Sequence, residues 1–352
     1  MKENIKIIVE PLLEWYEKNK RVLPWRENKN PYSIWISEIM LQQTRIEAVK
    51  SYYERFMKEI PNVQVLANIE EEKLLKLWEG LGYYNRARNL QKAAKLIEEK
   101  YQGKIPNSYK ELITLPGIGE YTAGAIASIA YNEPVTAIDG NVLRVISRLI
   151  ASTKDVLLPE TKKEMQNRIE KIIPKTATGD FNEALMELGE LVCLPNREPE
   201  CSKCPLNQYC KAYKEKLTDK IPVREKKAKR REEEKTVFIL ISPTGKIAIQ
   251  KREQKGVLKG MYEFPNISHK CLESEIIKVV KDKWNIQTRQ IKFLGEYKHI
   301  FTHIEWKMYG YQIKVRESDK QFLWISKEEL ETSYAMPMAF KKLLEGKFLA
   351  WT

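Results

Sequence analysis

The chain has 352 residues, enough for two or three domains that each bury a core. A formal net charge of +13, from 61 Lys and Arg against 48 Asp and Glu, suits a polyanionic partner. No stretch nears the roughly 18 consecutive apolar residues that a membrane helix needs, and with only three His any acid–base or metal chemistry must rest on Asp, Glu and Cys.

The N-terminal stretch MKENIKIIVEPLLEWY carries charges throughout, with no apolar segment followed by a small-residue cleavage site, so an intracellular protein of the cytoplasm or nucleoid, without a targeting signal, is expected. From Lys6 to Asn19 the apolar residues Ile8, Leu12, Trp15 and Tyr16 recur at helical spacing. Leu23-Pro24-Trp25-Arg26 interrupts them as a loop, where a lone arginine is ordinarily solvated. One helix is then expected from about Pro31 through Phe56. On it Glu38 follows Ile34 by four residues and precedes Leu41 by three, which sets a carboxylate among apolar side chains. There it would lose water and could hold a proton near neutral pH; a helix residue favoured by the dipole is the plainer alternative. Gln42 and Gln43, one turn on, have amides able to read base edges, as have many surface glutamines. A further helix is expected from Leu66 to Trp78, ended by Gly80. In the following GLGYYNRARN, tyrosines on a glycine turn beside arginines suit either a wedge into a base stack or two core aromatics at a helix start. Another helix runs from Arg88 to Lys100.

The stretch 115–141, LPGIGEYTAGAIASIAYNEPVTAIDGN, organises the chain. A turn at Pro116-Gly117-Ile118-Gly119, with both glycines free to take positive φ, leads into a helix from Glu120 to Ala130 and presents N–H groups to a phosphate. The small residues Ala123, Gly124, Ala125, Ala127 and Ser128 admit a close neighbour, a helix or a nucleic-acid strand. After a turn at Asn132-Glu133-Pro134, the run Val135–Ile138 delivers Asp139, which is either a placed acid or simply the N-cap of a helix Val142–Ile150. Helices Lys162–Ile173 and Phe181–Val192 follow, the latter with Phe181, Leu185, Leu188 and Val192 on one face and Glu183, Glu187 and Glu190 on another, which periodicity assigns to solvent. Cys193, Cys201, Cys204 and Cys210, spaced C-x7-C-x2-C-x5-C, suit four-thiolate ligation of zinc or of an iron–sulfur cluster, and spacing does not choose between them. Residues 220–235 hold eight basic and four acidic residues and read as a linker. Beyond it the period changes to two: TVFILIS and KIAIQKRE as strands around Pro243-Thr244-Gly245, then EYKHIFTHIEWKMYGYQIKV with a turn at Gly310, flanked by helices Leu272–Trp284 and Met338–Leu344.

In this order LPWR at 23–26, SEIMLQQT at 37–44, GLGYYNRARNL at 80–90, LPGIGEYTAG at 115–124, AIDGNVLRV at 137–145, FNEALMELG at 181–189, the four cysteines and HIFTH at 299–303 resemble the MutY-type adenine DNA glycosylases of the helix-hairpin-helix superfamily, over nearly the full length. The resemblance implies a multidomain fold: an all-α catalytic region, 1–219, made of a six-helix hairpin-containing module and an iron–sulfur module with its loop at 193–210; the linker 220–235; and a nudix-like α+β domain, 236–352, that reads 8-oxoguanine. It implies removal of adenine opposite 8-oxoguanine or guanine in double-stranded DNA by a monomer holding one 4Fe-4S cluster on the four cysteines.

Carried over by position, Glu38 would protonate the adenine, Asp139 would stay ionised and stabilise an oxocarbenium-like sugar, and Tyr121 and Asn141 would support that centre. Arg26 and Glu183 would line the extruded base, which reverses the solvent assignment of Glu183. Gln42, Gln43 and Tyr83 would fill or wedge the vacated duplex, the Gly117 and Gly119 turn would contact DNA, and Phe301, Thr302 and His303 would contact 8-oxoguanine, Thr302 keeping the hydroxyl of the family's serine. Where related strand-cutting glycosylases hold a Schiff-base lysine, this chain has Tyr121, which implies a monofunctional enzyme. The first cysteine gap of seven residues is one longer than the common family spacing. Stretch 272–284 lacks the paired glutamates of a working nudix hydrolase, so a reader without a second active site is expected. An endonuclease III-like glycosylase/lyase for oxidised pyrimidines is the nearest alternative, opposed by Tyr121 and the C-terminal domain; a non-enzymatic DNA-binding scaffold would have no need of both Glu38 and Asp139.

Overall fold

The computed structural model describes residues 5–225, 229–253, 256–315 and 321–344. Packing divides the chain into two compact units: Met1–Ile69 with Asn85–Lys226, and Glu70–Tyr84 with Lys227–Thr352. The stretch Glu70–Tyr84, expected within the all-α region, thus packs with the sheet.

The helical unit contains α1 (Val9–Asn19), α2 (Pro31–Leu41), α3 (Ile46–Glu59), α4 (Val63–Asn68), α6 (Asn85–Tyr101), α7 (Tyr109–Leu112), α8 (Glu120–Tyr131), α9 (Gly140–Leu149), α10 (Pro159–Glu170), α11 (Thr178–Leu191) and α12 (Lys211–Lys214); α5 (Glu71–Leu77) belongs to the other unit. Pro31 at the first turn and Asn30 Oδ1, accepting from Tyr32 N–H at 2.8 Å, start α2, which is buried from Tyr32 through Met40. The single helix expected to Phe56 breaks after Leu41. Gln43 enters the left-handed region at φ 63°, and the buried Arg86 guanidinium donates to the carbonyls of Ile39, Met40 and Gln42 at 2.7, 3.0 and 2.6 Å, replacing the N–H groups that a continuing helix would supply. The helix expected over Leu66–Trp78 is likewise two, α4 and α5, with Asn62 capping the first and Gln91 of α6 taking the Ile69 carbonyl.

On α8 the small residues are buried, and the Thr136 carbonyl occupies the space a Cβ on Gly124 would need, so the close neighbour is the chain's own backbone. Ile8, just before α1, and Leu12 and Tyr16 of α1 pack with Val145 and Leu149 of α9, Met165 and Ile169 of α10, and Phe181, Leu185 and Leu188 of α11. Burial of each large side chain contributes about 1.5–3 kcal/mol, so this core fixes α9 and α11 side by side.

The sheet runs β3 (Tyr262–Glu263), β2 (Ile247–Lys251), β1 (Arg231–Ile241), β6 (Ile304–Val315), β5 (Thr288–Ile300), with β4 (Asn266–Ile267) on β1 and β7 (Leu323–Ile325) on β2. β1 and β6 are parallel and the other pairs antiparallel. Val237, Ile239 and Ile241 of β1 face one core with Leu330 of α14 (Lys327–Thr332) and Phe340 of α15 (Met338–Lys341); Phe238 and Leu240 face another with Val280 and Trp284 of α13 (Ile276–Trp284). Cover on both faces explains the unbroken apolar run of β1.

Two expectations are corrected in this unit. Arg231–Lys235, assigned to the linker, begin β1, because its charges find partners on β6: Glu232 with Lys307 at 2.6 Å, Glu233 with Trp306 Nε1 at 2.9 Å and Glu234 with Tyr309 O–H at 3.1 Å. Lys226–Ala228 of that stretch lie outside the described residues. Gly310 is inside β6 and not at a turn; a Cβ there would stand 2.9 Å from Leu343, so the glycine serves packing, and the reversal falls at Phe301–His303.

Candidate active site and cysteine loop

A cavity of about 1180 Å³ in the helical unit is lined by Glu38, Tyr121, Asp139 and Asn141, and by Arg26, Glu183, Gln42 and Gln43. Three elements supply the first four: the middle of α2, the first turn of α8, and α9, through its N-cap residue and its second residue. Glu38 is buried, and Tyr121 O–H donates to its Oε2 at 2.5 Å while lying 3.3 Å from Met186 Sδ. Loss of water pushes the Glu38 carboxyl up to about 7; the charges of Glu183 and Asp139 add to the rise, and the Tyr121 hydrogen bond and Arg26 oppose it. Burial, with Glu38 alongside, holds the Tyr121 phenol well above its ordinary value.

The two local readings of Asp139, helix cap and acid set at a site, do not exclude each other in the structure. It caps α9, Oδ1 accepting from Val142 N–H at 2.8 Å, and it faces the cavity. Its Oδ2 accepts from Asn141 Nδ2 at 2.8 Å. Burial moves its carboxyl up from the aspartate range, against the pull of Val142, Asn141 and the nearby Arg144 charge. Asn141 is itself held, its Nδ2 donating to Glu190 at 3.0 Å and its Oδ1 accepting from Arg144 at 2.8 Å.

Arg26, which its loop alone assigns to solvent and the resemblance to the base pocket, is pinned: Nε donates to Glu183 Oε1 at 2.9 Å, and Nη2 to Glu187 Oε2 at 3.1 Å. Glu183 and Glu187 are both buried, so the face of α11 opposite its apolar stripe packs on Arg21 and Arg26 instead of water. Arg21 grips Glu187 in a fork, Nε to Oε1 at 2.8 Å and Nη2 to Oε2 at 2.9 Å, with its own backbone N–H adding a third bond at 2.9 Å. Burial would raise Glu187, yet Arg21 and Arg26 hold it down at about 2, whereas burial keeps Glu183 above the usual carboxylate range despite Arg26. Arg21, Glu187 and Arg86 were missed in the sequence. The signal for Glu187 was there, a carboxylate stripe at four-residue spacing, but its cations sit some 160 positions away, at a separation of 166 for Arg21.

Gln42 and Gln43 line the cavity from the loop after α2 and not from a helix, Gln42 Nε2 donating to Thr122 Oγ1 at 3.3 Å. In the hairpin only Gly117 takes positive φ, 77°, where a Cβ would stand 2.6 Å from Asn89 Cβ; Gly119 is extended at φ −92°, ψ −179° and opens α8 with clear space around it. Neither glycine lines the cavity.

Tyr83, Phe301, Thr302 and His303 belong to the sheet unit. The two readings of the tyrosine pair divide: Tyr84 is buried, while Tyr83 is 52% exposed and sits at φ 46°. Tyr83 O–H lies 3.1 Å from Thr302 Oγ1 at the tip of the β5–β6 hairpin. Phe301 packs edge-on to Trp306 and His299, at 4.7 and 4.6 Å between ring centroids.

All four cysteines of the loop are free thiols around a small cavity of about 30 Å³. Among the described residues no group of three His, Cys, Asp or Glu closes into a cage for one metal ion. Two arginines of α9 tie the loop down: Arg148 Nη1 donates to Cys193 Sγ at 3.3 Å and to the Leu194 carbonyl at 3.0 Å, and Arg144 Nε to the Cys193 carbonyl at 2.7 Å. Burial pushes the Cys204 thiol up to about 12 and raises those of Cys201 and Cys210, so a thiol held there ionises when a metal group takes the proton's place. The donor set and the guanidinium on Cys193 Sγ fit a group that carries four thiolates.

Residues 36–175 match the family model of the HhH-GPD superfamily base excision DNA repair proteins, and residues 236–346 match that of the NUDIX domain. Over 83% of this chain and 83% of the relative, the sequence is 40% identical to an adenine DNA glycosylase of Buchnera aphidicola subsp. Schizaphis graminum. It is 32% identical to the mouse adenine DNA glycosylase, with 94% and 76% covered. Among solved structures, a non-covalent endonuclease III–DNA complex superposes with a TM-score of 0.52 at 26% identity, covering 62% of this chain and 98% of that one. A helical HhH-GPD unit that gathers buried carboxylates, joined to a nudix-like sheet unit in a sequence this close to those relatives, means that the chain belongs to the adenine DNA glycosylases of base excision DNA repair.

Proposed function

We propose that the protein removes adenine mispaired with 8-oxoguanine or guanine from double-stranded DNA, acting as a monomer and leaving an abasic site in an unbroken strand. The observation that carries this reading is the Glu38 carboxyl, buried against Tyr121 and raised to about 7, in one cavity with an Asp139 carboxylate braced by Val142 N–H and Asn141.

A base inside a duplex is out of reach of such a cavity, so the nucleotide swings out. Arg26 and Glu183 receive the adenine, Gln42 and Gln43 face the vacated stack, Tyr83 wedges beside it, and the N–H groups at Gly117–Gly119 meet phosphate. Glu38 gives its proton to N7 of the adenine. The C1′–N9 bond then breaks with its electron pair leaving on the neutral base. The ionised Asp139 faces the oxocarbenium-like sugar, Asn141 and Tyr121 holding the two acids apart in role. Water adds at C1′ and gives up a proton to Glu38. Tyr121 has no amine with which to form a Schiff base, which supports hydrolysis without strand cleavage.

Cys193, Cys201, Cys204 and Cys210 would hold one 4Fe-4S cluster, which when bound supplies the order of the 193–210 loop. Phe301, Thr302 and His303 read 8-oxoguanine, the Thr302 hydroxyl being the hydrogen-bonding group.

The test is a duplex with adenine opposite 8-oxoguanine, assayed for strand breaks before and after alkali. Breaks that appear only after alkali are expected. Breaks without alkali would point instead to an endonuclease III-like lyase, and no breaks in either arm would refute the reading.

A further inference from the structure

Within the sheet unit, the segment bearing Tyr83 is fastened far more firmly than an exposed turn requires. Lys76, in the last turn of α5, uses all three of its ammonium protons: one on Glu79 Oε2 at 2.9 Å, one on the Leu330 carbonyl at 3.2 Å and one on the Tyr334 carbonyl at 3.1 Å. Glu79 is as fully used, accepting from Met336 N–H at 2.8 Å and pairing with Lys341 at 2.6 Å. The side chains of Lys76 and Glu79 are only 16% and 11% exposed. At the other end of α5, Glu72 holds Lys251 and Tyr262, each at 3.0 Å.

These contacts close a circuit. Met336 and Phe340 lie in the same core as Trp306, whose ring stands 5.9 Å from Phe340 and 4.7 Å from Phe301. Phe301 precedes Thr302, and Thr302 meets the Tyr83 hydroxyl. The exposed Tyr83–Thr302 hydroxyl pair contributes on the order of 1 kcal/mol. The half-buried ion pair, bonded at both ends to backbone, adds a stronger hold on the same segment.

We infer that Lys76 and Glu79 are positioning residues for lesion recognition, clamping the Tyr83 segment to the sheet unit so that Tyr83 and the 301–303 hairpin meet the oxidised base as one rigid element. This rests on the reading of 8-oxoguanine proposed above, and it adds residues that touch neither DNA nor the reacting bond. Rigid presentation of the two groups removes the ordering that each would otherwise undergo on binding.

The experiment uses the full chain and measures single-turnover adenine release opposite 8-oxoguanine and opposite guanine. Lys76→Met and the milder Glu79→Gln should each lower the preference for 8-oxoguanine about tenfold, the size expected for losing a partly buried charged contact, while release opposite guanine stays unchanged. Lys76→Arg, which keeps a cation on Glu79, should restore most of the preference. In the Lys76→Met background Tyr83→Phe should cost little more, because the tyrosine is no longer held. Retained preference in both variants, equal losses on both duplexes, or full additivity with Tyr83→Phe would each overturn the inference. A wild-type enzyme without any preference would bring down the 8-oxoguanine reading first and this inference with it.

Discussion

The Glu38 cavity and the Phe301–His303 hairpin work with opposite materials. The cavity withdraws ionisable groups from water and tunes each by its neighbours: Glu38 up to about 7, Glu187 down to about 2, within one lining. The hairpin keeps its polar groups at the surface and supports them from beneath with packed rings, Phe301 on Trp306 and Trp306 on Phe340. Burial makes a proton donor at neutral pH, which chemistry needs before the substrate arrives. Exposure leaves polar groups with capacity for further hydrogen bonds to a partner, which suits discrimination. Substitutions should therefore change rate in the first region and preference in the second.

Glu38→Gln tests this most severely. Adenine release should fall by a factor on the order of 10²–10⁴, the usual worth of a positioned general acid. Folding should improve at the same time. The folded Glu38 pKa, about 7, lies above the unfolded 4.5, so the wild type loses stability as pH rises between those values and stays lower above them. At pH 8 the variant should be more stable by about 3 kcal/mol, and urea denaturation across pH checks both sign and size. A variant as pH-sensitive as the wild type would show that Glu38 is not the buried acid.

Glu187→Gln should cost about 2 kcal/mol by taking the counter-charge from the partly exposed Arg21 and leaving Arg26 with Glu183 as its carboxylate. Its sign with pH is opposite to that of Glu38. The depressed pKa contributes stability above the unfolded value of 4.5, lost as pH falls toward 2. Thermal unfolding of wild type and variant between pH 5 and pH 2.5 should converge.

Tyr121→Phe removes a hydrogen bond that lowers the Glu38 pKa. The alkaline limb of the rate profile should move upward from about 7, and a downward move would contradict the donor role of the phenol. In the hairpin, Thr302→Val should reduce preference for 8-oxoguanine about tenfold, one hydrogen bond's worth, with release opposite guanine unchanged. Thr302→Ser, keeping the hydroxyl, should leave both as they are.

Part of the cavity was legible because local pattern and chemistry coincided: Glu38 among apolar residues and Asp139 after an apolar run. Tyr121, Asn141, Arg26 and Glu183 were legible only through the family resemblance. What misled was the same periodicity elsewhere. The stripe Glu183, Glu187 and Glu190 reads as a wet face of α11; Glu190 is exposed as read, and only the distant Arg21 and Arg26 make Glu183 and Glu187 interior. The helix through Glu38 reads as unbroken because nothing near Leu41 marks an end. Arg86, on another helix, ends it.

The chain by itself determined the division into a helical and a sheet half, the family, and the residue types available for acid, anion and thiolate chemistry, since these depend on composition and short-range spacing. The tertiary structure alone decided which carboxylates lose their water and which keep a cation beside them. It also decided that Tyr83 goes with the hairpin while Tyr84 goes to the core. Desolvation and ion pairing are sums over neighbours brought together from across the chain, and no window of sequence contains those neighbours.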